Sequence, residues 1–212
     1  MMRCGKRRKR SRMGLQHFAI ALFVVVSFSP VYSQDDAQTS NHSIAKAVLN
    51  SPSNTPNAEM QEIFAADQAI RLDVERRGGW IAIKDDKEFQ KRWEEQDAKN
   101  LKRTRELLEK GALNAGIDYY QAAFIFQHSS KPEDFVKAHH LAVISISKGY
   151  DARWISAATL DRFLQAVGRQ QIYGTQYRTN EVGKHVRQPV ELGIVNDAER
   201  AQLNVPALSE DE

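Results

Sequence analysis

The chain has 212 residues, 42% of them hydrophobic and 27% charged, with a formal net charge of +3. That balance excludes a wholly disordered chain, a collagen-like fibre and a multi-span membrane protein. Seven of the 30 Lys and Arg residues fall in the first 33 positions, where there is no acid, leaving 23 basic against 27 acidic residues afterwards. The basic pI of 8.9 is therefore a property of the first segment, and no nucleic-acid partner is expected for the rest.

The basic block runs from Arg3 to Arg12 and is followed by the apolar stretch Phe18 to Phe28, then Ser29, Pro30, Val31, Tyr32 and Ser33. About 20 apolar residues are needed to cross a bilayer, so this shorter run reads as the apolar region of a signal peptide rather than a span. Val31 and Ser33 suit a cut before Gln34, which gives residues 1–33 as signal peptide and an exported, periplasmic or secreted product with no stable membrane span. An uncleaved anchor, or a start at Met13, is the alternative. Cys4 is the sole cysteine and lies upstream of the apolar run, so the exported part holds neither a disulfide nor a thiolate metal site and must be stabilised by packing.

Residues 34–56 are rich in Asp, Ser, Asn, Gln and Thr, interrupted only by Ile44 to Leu49, and read as a flexible linker. A single helical domain is expected over 57–212. Met60, Ile63, Phe64 and Ile70 recur at three- and four-residue steps and predict an amphipathic helix that stops before Gly78-Gly79. Trp80 to Ile83 reads as a strand or a loop that buries its apolar side chains. Lys87 to Lys110 is the longest predicted helix, with Phe89, Trp93, Leu101 and Leu108 on one stripe and Gly111 as its stop.

Asp118 is placed to cap the next helix, Pro132 to open a third, and Asp151 to cap a fourth that reaches Val167 before Gly168. Beyond Gln170 the chain reads as irregular until Asn196-Asp197 starts a short helix. The fold class is accordingly all-α. Ala138, Ala142, Gly149, Ala157, Ala158 and Leu160 resemble a tetratricopeptide-related hairpin, but one such unit cannot bury a solenoid core, which favours a compact bundle of antiparallel hairpins.

Several polar residues stand where the stripes call for apolar ones. Asp67 lies three or four positions from Phe64, Ile63 and Ile70; Asp97 lies four from both Trp93 and Leu101, with Asn100 beside it. His128 follows Phe124 and Ile125, His139 lies between Phe135 and Ala142, and Asp161 lies between Ala157 and Leu164. Each costs about 1–3 kcal/mol to bury unless it is hydrogen-bonded. Together they make either a structural polar network or a lined pocket, and the expectation is that Asp67, Asp97, His128, Asp161, Arg162, Tyr173 and Gln176 converge.

The order Asp67-Gln68 with Arg71, Asp97 with Asn100, Gln127-His128, Asp161-Arg162, and Gln171-Ile172-Tyr173-Gly174-Thr175-Gln176 resembles an uncharacterised bacterial domain family that carries a QH pair, a DR pair and a QxYGTQ segment. The resemblance covers about residues 60–207. It implies that these residues belong together and supplies no activity. Ser129 and Ser130 depart from the small or acidic residues expected after the QH pair.

Two functions follow. One is a ligand-binding or protein-interaction module of the cell envelope, with Asp67, Gln68, Arg71, Asp97, Asn100, Gln127, Arg162, Gln171, Gly174, Thr175 and Gln176 as binding residues. Its partner is an unknown small molecule or an envelope protein. The other is a small exported hydrolase or transferase in which His128 and Asp161 form an acid/base pair and Tyr173 donates to substrate. In that reading the helix C-terminus favours the protonated His128 ring. With no GxSxG, phosphate loop or HExxH spacing, and with His139 and His140 on different sides of one helix, no metal or cofactor is expected.

Overall fold

The computed structural model describes residues 54–211, with side chains to Ser209. The expected signal peptide, and the linker as far as residue 53, lie outside the described residues. Seven α-helices follow one another: α1 Ala58–Arg76, α2 Trp80–Ile83, α3 Lys87–Glu109, α4 Gly116–Gln127, α5 Pro132–Ser147, α6 Arg153–Ala166 and α7 Asp197–Gln202. The architecture is the all-α bundle that the periodicity predicts. No described helix is long and apolar enough to cross a membrane.

Punctuation sets the ends of the elements. Asn57 caps α1 by accepting from the Met60 N–H at 2.9 Å, and Asp86 caps α3 in the same way through Phe89. Pro132 opens α5. Two caps differ from expectation by a few positions. Asp118 lies inside the first turn of α4, where its carboxylate accepts from the N–H groups of Asn57, Asn114 and Ala115, so it ties the start of α1 to the start of α4. Asp151 precedes the α6 N-cap Ala152 and accepts from the Arg153 N–H at 3.2 Å.

Trp80–Ile83 is one turn of helix rather than a strand or loop. The turn lets Ile83 join Val74, Phe89 and Trp93 in a small second core, with Trp80 and Ile70 packed against it. The main core joins Met60 and Ile63 of α1 to Leu107, Ala122, Ile125, Phe126, Leu141, Ile155 and Ala158. Helix α4 is its axis, since most of its residues are buried. Small residues make this possible: Ala122, Ala123, Ala138, Ala142 and Ala158 are fully enclosed where α4, α5 and α6 cross. A Cβ added at Gly116 would come within 2.7 Å of the Tyr150 Cβ.

After α6 the chain is less irregular than its sequence suggests. Strands β1 Tyr177–Thr179 and β2 His185–Arg187 form an antiparallel hairpin, with Tyr177 opposite Arg187, and Gln171 bridges Val190. At three residues each, the strands are too short to show a period-two pattern.

Candidate functional site

Asp67 and Arg71 are one turn apart on the inner face of α1, Asp97 lies on α3, and His128 is the C-cap of α4. The three helices bring them into one charged cluster. The Arg71 guanidinium lies at its centre, 2.8 Å from Asp67 Oδ1 and 3.1 Å from both oxygens of Asp97, with its carbon 5.8 Å from the Trp93 ring centroid. Arg71 Nε donates to His128 Nε2 at 3.2 Å, and His128 Nδ1 lies 2.9 Å from Asp67 Oδ1. Gln68 Nε2 donates to the other Asp67 oxygen at 2.9 Å.

These contacts fix the imidazole tautomer. An arginine N–H can only donate, so Nε2 carries a lone pair, and Nδ1 carries the proton that goes to Asp67. Adding a second proton would set Nε2–H against the Arg71 N–H. Burial, reinforced by the Arg71 charge, accordingly pushes His128 down to about 4. The helix C-terminus favours the protonated ring by only about 0.3–1 kcal/mol, and removal from water outweighs it.

The two carboxylates differ. Burial opposes ionisation of Asp67, yet the His128 N–H, Arg71 and Gln68 together hold its carboxyl below the usual range. Burial pushes Asp97 up to about 6 against the pull of Arg71, and the negative charge of Asp67 adds to the rise. Asp67, Asp97 and His128 present ligand atoms within 4.8 Å of one another, a set that could hold a metal ion. The Arg71 guanidinium bonds to all three, so the cation in this cluster is supplied by the chain.

Asp161 has a different role. It is fully buried on α6, and its Oδ1 accepts from the Ile172 and Tyr173 N–H groups at 2.7 and 3.0 Å. Its Oδ2 accepts from the Thr175 N–H and hydroxyl at 3.0 and 2.8 Å. The carboxylate that meets His128 is therefore Asp67, while Asp161 is a staple for the following loop. Gln171 donates to the Gln176 and Gln188 carbonyls and accepts from the Gln176 N–H, while Gln176 Nε2 reaches the Ala158 carbonyl of α6. Arg200 of α7, 2% exposed, donates to the carbonyls of Tyr173 and Ile172. Gly174 turns through a φ of +80°, where a Cβ would meet Leu208.

The expected single convergence is thus two centres: Asp67, Gln68, Arg71, Asp97 and His128 in one, and Asp161, Gln171, Tyr173, Gly174, Thr175 and Gln176 in the other. Gln127 is buried at the end of α4, and His139 bonds the Ser156 carbonyl on α6. Asn100 is buried and accepts from Gln96 at 2.7 Å. It also borders a groove of about 450 Å³ between α1 and α3, lined by Ile63, Ala66 and the ion-paired Glu59, Arg103 and Glu106. Asn100 is the only candidate residue on that groove.

Arg162 follows Asp161 on α6 and faces the first centre electrostatically: its charge acts on His128, and that of Arg71 acts on it. Its Nε is closed off from water without a hydrogen-bond partner, as are Asn100 Nδ2 and Gln121 Oε1, whereas Trp93 has the Asp97 carboxylate beside it. Gln121 and Trp93 were not legible as site residues, although Gln121 precedes His128 by two helical turns and Trp93 precedes Asp97 by one. Arg200 had no signal, since it lies on a short helix without a stripe. No family model matches the chain, and no curated protein or solved structure is significantly similar to it.

Proposed function

We propose that this protein is an exported ligand-binding module of the cell envelope, and that the buried cluster around Arg71 and His128 is its binding centre. The observation that carries this reading is the set of enclosed polar atoms left without partners on the helices that build the cluster, Asn100 Nδ2 on α3 and Gln121 Oε1 on α4, together with Arg162 Nε on the neighbouring α6. A purely structural network satisfies its buried groups, because each unmade hydrogen bond costs about 1–3 kcal/mol. Polar atoms left open beside a satisfied, rigid ion-pair frame suit a partner that arrives from outside.

An exported hydrolase or transferase has less support. His128 gives its proton to Asp67 and its lone pair to Arg71, and all four hydrogen bonds to Asp161 come from the loop, so neither group is free to act on a substrate.

A thermal-shift screen of small metabolites against the purified protein tests the module, together with mass spectrometry of the exported form for an N-terminus near Gln34. Hits that Asn100→Leu or Gln121→Leu weakens are expected. Turnover of an ester or glycoside that is abolished by His128→Asn would favour the enzyme instead.

A further inference from the structure

We infer that the part of α6 carrying Arg162, beside the Phe135 ring, binds an oxyanion, the carboxylate or phosphate group of a small ligand. This rests on the ligand-binding reading and names the chemistry of the ligand.

The argument begins with charge. Arg71 is fully consumed: its Nε goes to His128 and its terminal nitrogens to Asp67 and Asp97. Asp67 and Asp97 thus share Arg71 as their hydrogen-bonded cation. Arg162 has no such partner: among the described residues no carboxylate, carbonyl or hydroxyl accepts a hydrogen bond from it, and its Nε is sealed from water. Its guanidinium lies over the Phe135 ring, whose centroid is 5.8 Å from the guanidinium carbon. A ring face can carry part of the interaction but cannot accept five N–H donors.

The charge that acts on Arg162 is that of Arg71, also a cation, and removal from water followed by that repulsion lowers Arg162 to about 10. His128 is neutral beside it. An enclosed N–H donor of a cation without an acceptor is unfavourable, and the group that would relieve it is an anion presenting two oxygens to the guanidinium fork. Residue Arg162 as a whole keeps a partly exposed outline, which leaves it reachable from outside. Phe135 would form an apolar wall for the carbon skeleton that bears the anion.

The test follows the unfolding temperature of the protein with sodium acetate and sodium phosphate in the low-millimolar range. Sodium chloride at matched ionic strength serves as control, below the concentrations at which salts stabilise by exclusion. The expected result is a saturable rise with one or both oxyanions, together with displacement of the Arg162 Nε–H resonance in a ¹H–¹⁵N spectrum. Arg162→Met is expected to raise the unfolding temperature in chloride, because an unpaired charge is removed, and to lose the oxyanion response. Arg162→Lys keeps the charge but loses the fork and is expected to bind roughly tenfold more weakly, the equivalent of one charge-assisted hydrogen bond.

No saturable response to either anion overturns the inference, as does an Arg162→Met protein that responds like the parent. A neutral or cationic ligand that stabilises parent and Arg162→Met alike also overturns it while leaving the ligand-binding reading intact. If acetate or phosphate binds but no larger compound bearing those groups does, the anion site stands and the module reading falls.

Discussion

Asp67 and His128, joined at 2.9 Å, are 61 residues apart, and the same interval separates Asn57 from Asp118, joined at 2.8 Å. A constant offset means that α1 and α4 run in the same direction and in register over ten residues. The two hydrogen bonds pin the helices at both ends of that stretch. Asp67→Asn removes one of the two carboxylates that hold Arg71 and is expected to cost about 3 kcal/mol, the lower end of the range for removing one partner of a buried ion pair, because Asp97 remains. His128→Ala is expected to cost about 1–3 kcal/mol. Urea denaturation of both single variants and the double variant should show coupling between them, whereas additive losses would mean the contact contributes nothing of its own.

The pH dependence of stability separates the two raised and lowered groups. His128 stays neutral in the fold to about 4, while its ordinary value is 6.5. The unfolded chain therefore binds more protons in that interval, and stability falls as pH drops through it. Asp97 acts in the opposite sense. Its folded value of about 6 exceeds 3.8, so the fold binds the extra proton, and stability is lost as pH rises from 3.8 through 6. Each shift corresponds to at most about 3 kcal/mol, and the two largely offset in the parent. Asp97→Asn should steepen the loss toward low pH, and His128→Asn should reverse its sign. Parallel urea-derived profiles for all three proteins would contradict this account.

Asp161→Ala removes the acceptor for three main-chain N–H groups and one hydroxyl. The expected loss is about 3 kcal/mol, the upper part of the range for hydrogen bonds to a charged group. Hydrogen exchange should then accelerate at Ile172, Tyr173 and Thr175 while α4 remains protected, because the staple acts on the loop and not on the main core.

Gly116→Ala tests the crossing of α4 with the end of α5. The new methyl would lie 2.7 Å from the Tyr150 Cβ, and the Ser145 hydroxyl already donates to the Gly116 carbonyl at 2.7 Å. Neither neighbour is the far end of a flexible chain, so overpacking by about 1–3 kcal/mol is expected. A calorimetric unfolding temperature equal to that of the parent would show that the helices can separate without cost.

The amino-acid sequence by itself determined where the long helices run, though not the single turn at Trp80–Ile83. Apolar residues at three- and four-residue steps describe a face, and Gly111, Gly149, Gly168 and Pro132 break the chain between faces, both of which are local properties. It also marked Asp67, Asp97, His128 and Asp161 as pointing inward, since helical spacing alone decides the direction of a side chain. What each of them meets was decided by tertiary structure. The register of α1 along α4 gives His128 to Asp67, and a long Arg71 side chain reaches both carboxylates because α3 returns alongside α1. Asp161 meets main-chain N–H groups, which every residue but proline carries and which no sequence pattern distinguishes. The loop that supplies them is ordered by contacts to α6 and to Arg200, and those exist only once the helices have packed.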